Sequence, residues 1–222
     1  MILMKNTLSL LFLLFISTIL NAQHFSFGIE TGVISSTSNK YSAFDFENRR
    51  DTYYSGLNTT YYFNQSVSAT VGFHYLRQGD KEPTPECYQY TDGIRKEMTV
   101  KRDYLIIPLT VNFHLGNSNK FLTSIGVFGG YNVKAFRDYP KPISGCKIGV
   151  PTDLTHTTAD FIFGGIVGAG YKVFENDKFQ VTPMIKYYQG ISNTFPKMEP
   201  FKVENRYSSA LLTLNLNYKI AR

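Results

Sequence analysis

Residues able to do acid–base, nucleophilic or metal chemistry are few and scattered in this chain. Four histidines stand at His24, His74, His114 and His156. No two have the H-x3-H spacing that brings two imidazoles onto one metal ion. There is no G-x-S-x-G nucleophile elbow, and no glycine-rich phosphate loop running from a strand into a helix. The glycine-rich run from Gly164 to Gly170 continues into more strand-like sequence, so it reads as packing. What stands out instead is Glu30, His74, Lys134, Lys172 and Lys186, five titratable residues inside otherwise apolar or small-residue segments. A charge in such a setting is costly unless it is paired. The expectation is a polar network in which Glu30 meets a lysine, Lys186 first, or His74. An acid–base pair at a rim active site is the catalytic alternative, and no nucleophile accompanies it.

The segments that would carry these residues alternate in polarity. Eight of them are legible: 24–34, 52–64, 67–77, 104–116, 120–134, 160–174, 178–191 and 207–220. In the last, Ala210, Leu212, Leu214, Leu216, Tyr218 and Ile220 fall on one face, opposite Leu211, Thr213, Asn215, Asn217 and Lys219. A period of two is the signature of a strand with one apolar face. Sixteen Tyr, eighteen Phe and no Trp fit strands better than helices. Connections of two or three polar residues follow the second, fourth and sixth segments, at 65–66, 117–119 and 175–177. Those at 35–51, 78–103, 135–159 and 192–206 are long. The plan is an up-and-down meander with short turns on one side and long loops on the other. Pro108 and Pro183 lie inside the meander. Proline removes a ladder donor, so each must cost a bond or mark a bulge.

The chain opens with Lys5, an apolar run from Leu8 to Leu20, and then Asn21-Ala22-Gln23. This is the layout of a cleaved secretory signal peptide, which gives 1–22 as the leader and 23–222 as one domain. The apolar run is short for a spanning helix, which needs roughly 20 residues. Export to an oxidising compartment makes a Cys87–Cys146 disulfide plausible, tying the second long loop to the third. In the chain-entropy picture such a bond is worth about 4 kcal/mol. The pI of 9.1 carries little information, because Arg95-Lys96 and Lys101-Arg102 are interleaved with Asp92, Glu97 and Asp103. That stretch reads as a solvated loop of mixed sign, and no nucleic-acid motif is present.

Alternation does not say which face is buried. A soluble sandwich or a lipocalin-like barrel would turn the apolar face inward. A membrane barrel turns it toward lipid. Three features favour the membrane. The polar face is rich in Gly, Ser, Thr and Asn, which suits the narrow interior of an eight-stranded barrel. Aromatics gather near the segment ends in two girdles. Phe25, Phe63, Phe113, Phe121, Tyr171, Phe174, Phe179 and Tyr218 lie toward the short turns. Tyr53, Tyr54, Tyr75, Phe161, Tyr187 and Tyr207 lie toward the long loops. Finally, short turns opposite long loops is the layout of outer-membrane barrels.

Taken in order, "DYLIIPLTVNFHLG", "SIGVFGGYNV", "DFIFGGIVGAGYKV", "MIKYYQGISN" and "LLTLNLNYKI" resemble the outer-membrane β-barrel family of Gram-negative bacteria that includes PorT-like proteins. The plan is similar to OmpA- and OmpX-type eight-stranded barrels, and the resemblance covers essentially the whole chain after the leader. It implies an all-β, eight-stranded, antiparallel, up-and-down transmembrane barrel in the cell outer membrane. Its implied partners are outer-membrane lipid and the barrel-assembly machinery, with secretion-machinery proteins if the PorT likeness extends to function. Barrels of this kind end on an aromatic that the assembly machinery reads; here Tyr218 is the aromatic nearest the end.

The sequence therefore leads to a monomeric, non-enzymatic barrel with a side-chain-filled lumen and a structural or surface-binding role, without cofactor, metal or nucleic acid. An accessory role in protein secretion and a small rim enzyme are the alternatives.

Overall fold

The computed structural model describes residues 24–38, 50–83, 90–91, 94–95, 97–116, 118–138, 153–194 and 206–221. The leader assigned to 1–22 and both Cys87 and Cys146 lie outside them. The strands are β1 (His24–Ser38), β2 (Arg50–Tyr62), β3 (Val67–Pro83), β4 (Tyr90–Thr91), β5 (Ile94–Arg95), β6 (Glu97–Leu115), β7 (Phe121–Asp138), β8 (Phe161–Tyr171), β9 (Phe174–Glu175), β10 (Phe179–Gly190) and β11 (Tyr207–Ala221). β4 and β5 form a separate two-stranded hairpin. The eight long strands pair in sequence order, all antiparallel, and β11 pairs with both β10 and β1. The sheet is therefore a closed barrel with no free edge. Closure is what the hydrocarbon core demands, since no water there can satisfy an unpaired backbone group.

The pairing also fixes the barrel's shape. Ser35 pairs with Ala210, and the row continues through Tyr187, Val167, Ile125, Val111, Ala69 and Tyr61 to Phe25, ten residues below its start. Eight strands with a stagger of ten, at ~3.3 Å per residue and ~4.8 Å between strands, tilt by about 40°.

Two of the short turns are built by asparagines. Asn64 Oδ1 accepts the Ser66 and Val67 amides at 2.8 Å each. Asn176 Oδ1 accepts those of Lys178 and Phe179 at 2.9 and 2.6 Å. This is the Asx turn that suits Asn to such corners. The turn after β6 uses left-handed backbone at Gly116 and Asn119, with φ of 84° and 50°. At the opposite end the strands outrun the apolar alternation: β3, β6 and β7 reach Pro83, Glu97 and Asp138. Residues 153–160 fold back on the end of β7. There Leu154 packs between Val100 and Ala135, and its amide donates to Ala135 O at 2.9 Å. Nearby, the hydroxyl and amide of Thr155 hold the Asp153 carboxyl below its usual range.

Pro108 causes no bulge. Ile106 to Thr110 pair with β7 in a single register. On the β3 side the flanking pairs, Val71 with Leu109 and His74 with Ile106, share one register, and the positions between them are unpaired. The missing N–H therefore faces β3 and costs ladder pairing there. Pro183 sits where β10 changes partner: β8 pairs with it up to Met184–Gly170, and β9 takes over at Val181–Phe174 one residue out of register. A break in the ladder accommodates the missing donor.

Candidate functional site

Residues pointing into the barrel fill it in layers. At mid-height β1 brings in Glu30 and β10 brings in Lys186. Lys186 Nζ donates to Glu30 Oε1 at 2.6 Å, with the Glu30 side chain 1% exposed. Of the partners expected for Glu30, Lys186 is thus the one that reaches it. His74 enters from β3 beside this pair but bonds elsewhere: its Nδ1 is hydrogen-bonded to the Tyr54 hydroxyl, which lies 3.2 Å from the Tyr188 hydroxyl. The imidazole fits because two glycines leave room. A Cβ on Gly56 would stand 2.1 Å from His74 Cδ2, and one on Gly72 would stand 2.6 Å from its Nε2.

Toward the short turns the lumen is lined by hydroxyls and amides. Asn58 Nδ2 donates to Asn215 Oδ1 at 3.0 Å, Asn112 Nδ2 to Thr70 Oγ1 at 2.9 Å, and Gln180 Nε2 to Thr182 Oγ1 at 3.0 Å. The Thr60 and Thr70 hydroxyls are 2.8 Å apart, and Ser68 Oγ lies 2.9 Å from His114 Nε2. All of these but Asn58 line a cavity of about 20 Å³, space for one or two waters.

Toward the long loops the filling becomes apolar and aromatic. Ile34, Tyr54, Leu76, Tyr104, Ile106, Phe128, Ile162, Ile166, Tyr188 and Leu211 form one buried cluster, none more than 5% exposed. The Phe128 and Tyr188 rings are 5.1 Å apart. Above it lies a charged layer. Arg102 NH1 donates to the Tyr207 hydroxyl, which donates to Asp80 Oδ1 at 2.7 Å. Arg102 NH1 is 3.7 Å from the same carboxylate oxygen, and both side chains are fully buried. Gln78 Nε2 donates to Ser209 Oγ at 2.9 Å beside them.

Several sequence expectations are corrected here. Lys134 is exposed and takes no part in the lumen. Strand β7 has one extra residue, Val133, between the pairs Tyr104–Asn132 and Asp103–Lys134, and this bulge reverses the facing of everything beyond it. Lys172 does point inward, but its partner is Glu175, at 3.3 Å. Tyr54 and Tyr207 belong to the lumen rather than the girdle, being 0% and 2% exposed, since neighbouring strand residues face opposite ways. Arg102 is not in a solvated loop, because β6 begins at Glu97 and carries it inside. It shares the parity of Tyr104 and Ile106, and that was the signal available in the sequence. The fluctuating polarity around it hid the strand.

A family model for outer membrane protein beta-barrel domains matches residues 21–196. The chain belongs to this family. Its place is therefore the outer membrane, and the exposed apolar residues, Leu57, Ile107, Leu109, Val127, Ile185 and Leu212 among them, face lipid. Solved structures of similar architecture share little sequence. Neisserial surface protein A is 12% identical, with 88% of this chain and 97% of that one covered and a TM-score of 0.47. Ail of Yersinia pestis, in complex with the heparin analogue sucrose octasulfate, is 12% identical, with 88% and 99% covered and a TM-score of 0.43. OprG of Pseudomonas aeruginosa is 11% identical, with 90% and 97% covered and a TM-score of 0.42. No curated protein matches the chain.

Proposed function

We propose that this barrel is a non-enzymatic outer-membrane protein closed to solutes, with a structural or surface-binding role exercised through its long loops. The observation that carries this reading is the apolar and aromatic layer across the lumen, continuous from Ile34 through Tyr54 and Tyr188 to Leu211. An eight-stranded barrel is only wide enough for its own side chains, and here they meet. A diffusion pore needs a water-filled path, which this layer interrupts. The groups best suited to acid–base chemistry, Glu30 and His74, are both 1% exposed, with Tyr54 and Lys186 against them. Such placement suits a packed polar network better than a rim active site. The chain is read as a monomer, exported by its leader and inserted by the barrel-assembly machinery. Liposome swelling tests the closed state. Vesicles carrying the folded barrel should swell in small sugars no faster than empty vesicles, and swelling at porin rates would refute the proposal.

The order of the motifs from "DYLIIPLTVNFHLG" to "LLTLNLNYKI" supports a second reading, an accessory membrane component of a protein-secretion machine of the PorT kind. Deleting the gene separates the two. Loss of secreted protein favours the secretion role, and unchanged secretion favours the first reading.

A further inference from the structure

The outward face of the barrel changes character abruptly on three neighbouring strands. On β6 the outward residues from Leu115 to Leu105 are apolar. Ten residues at ~3.3 Å, tilted by about 40°, span ~25 Å, the height of the lipid-facing band of such barrels. The next outward positions on β6 are Asp103 and Lys101, and their cross-strand neighbours are Arg77 on β3 and Lys134 and Phe136 on β7. The Val133 bulge is what turns Lys134 outward at this level.

These residues form an ordered cluster. The Arg77 guanidinium donates twice to Asp103, at 2.6 and 2.7 Å, and lies 5.4 Å from the Tyr53 ring centre and 5.9 Å from those of Tyr75 and Phe136. Lys101 pairs with Asp138 and stands 5.2 Å from the Phe136 ring centre. Lys134 stands 5.3 Å from the same ring. Its cross-strand partner Asp103 is already held by Arg77. Arg77, Lys101 and Lys134, with Arg50 close enough to act on Asp138 and Arg77, thus face Asp103, Asp138 and Asp153 on an aromatic floor. Elsewhere at the top of the band the described outward strand residues are apolar or uncharged, with Val33, Phe161 and Ile191 each more than half exposed and Ser35, Gln189 and Ser208 beside them. Among the described residues this cluster of Arg and Lys lies on one side, on β3, β6 and β7, at headgroup depth on the long-loop end that faces the outer leaflet, while Arg206 is an exposed cation just before β11.

We infer that the Arg77–Lys101–Lys134 cluster binds the phosphate of an outer-leaflet lipid, with the acyl chains lying along the apolar strands below. Arg and Lys on an aromatic floor suit a phosphate at the edge of hydrocarbon: the guanidinium donates in a fixed fork, and each ammonium adds a point charge.

The test uses the full folded barrel in micelles doped with diphosphoryl lipid A or with its dephosphorylated form. The lipid retained is counted by mass spectrometry of the intact complex. Wild-type protein should retain the phosphorylated form preferentially. Lys101→Gln with Lys134→Gln should lower that retention by about fivefold per lysine, the equivalent of ~1 kcal/mol per charge at an anionic surface. Lys120→Gln with Lys178→Gln, at the short-turn end, should leave it unchanged. Should the first pair of changes prevent folding, Lys134→Gln alone carries the test, since Asp103 keeps Arg77 and Asp153 keeps the Thr155 amide. Equal retention of the two lipids, equal retention by wild type and variant, or displacement of the lipid by excess inorganic phosphate would overturn the inference.

Discussion

Glu30 and Lys186 meet where neither could stand alone. Each is surrounded by lumen side chains and remote from bulk water, so the charge of one requires the charge of the other. Removing a single partner leaves an uncompensated buried charge, at a cost on the order of 3–5 kcal/mol. Replacing both with apolar residues of similar volume costs far less. The expected outcome is that Lys186→Met lowers urea stability in lipid vesicles by several kcal/mol. The pair Glu30→Leu with Lys186→Met should recover most of that loss. Equal losses in the single and double variants would show that the two residues are not coupled. At this scale the sequence was partly legible. A glutamate on the small-residue face of one strand and lysines on that face of others announced a pair, because burial demands one. It put Lys186 first but also placed Lys134 on the inward face, because the bulge that turns Lys134 outward leaves no mark in the alternation. Nor did it reveal the Arg102–Tyr207–Asp80 layer, whose members lie outside or at the very edge of the legible segments.

The elements owe their facing to a period of two, so a single added or missing residue reverses everything beyond it. Val133 is such a residue in β7. Its deletion should pair Asp103 and Lys134 without a bulge and leave Ala135 facing the lumen and Phe136 facing outward, because Lys134, Ala135 and Phe136 keep Asp103, Arg102 and Lys101 as partners. The variant should fold in wild-type yield, read as the heat-modifiable band on a gel; loss of that band would mean that the strand needs the bulge itself and not only the facing it sets. The short turns make a second prediction. Asn176 accepts two backbone amides, so Asn176→Ala should cost ~1–2 kcal/mol of stability. The same substitution at the exposed Ser118 should cost little. Eight strands and three tight turns were readable because lipid imposes alternation and Asn marks corners. The loop-side ends were not, because above the hydrocarbon an outward residue no longer has to be apolar, and Arg77, Lys101 and Asp103 broke the pattern while the strands continued.

For the whole molecule, closure and filling are the same fact seen from two sides. Eight strands staggered by ten residues give a barrel whose interior is occupied by its own side chains. The small lumen residues counted in the sequence describe the lower half well, while the aromatic layer above became visible only once Tyr54, Tyr104 and Tyr188 were placed inside. On the proposed reading that layer makes the barrel a sealed body rather than a channel. Single-channel recording in planar bilayers addresses this most directly, comparing wild type with Tyr54→Ala/Tyr188→Ala, which removes two rings from the seal. The account predicts no stepped conductance from wild type and measurable openings from the variant, both proteins running as heat-modifiable barrels. Stable pore-sized conductance from wild type would contradict it.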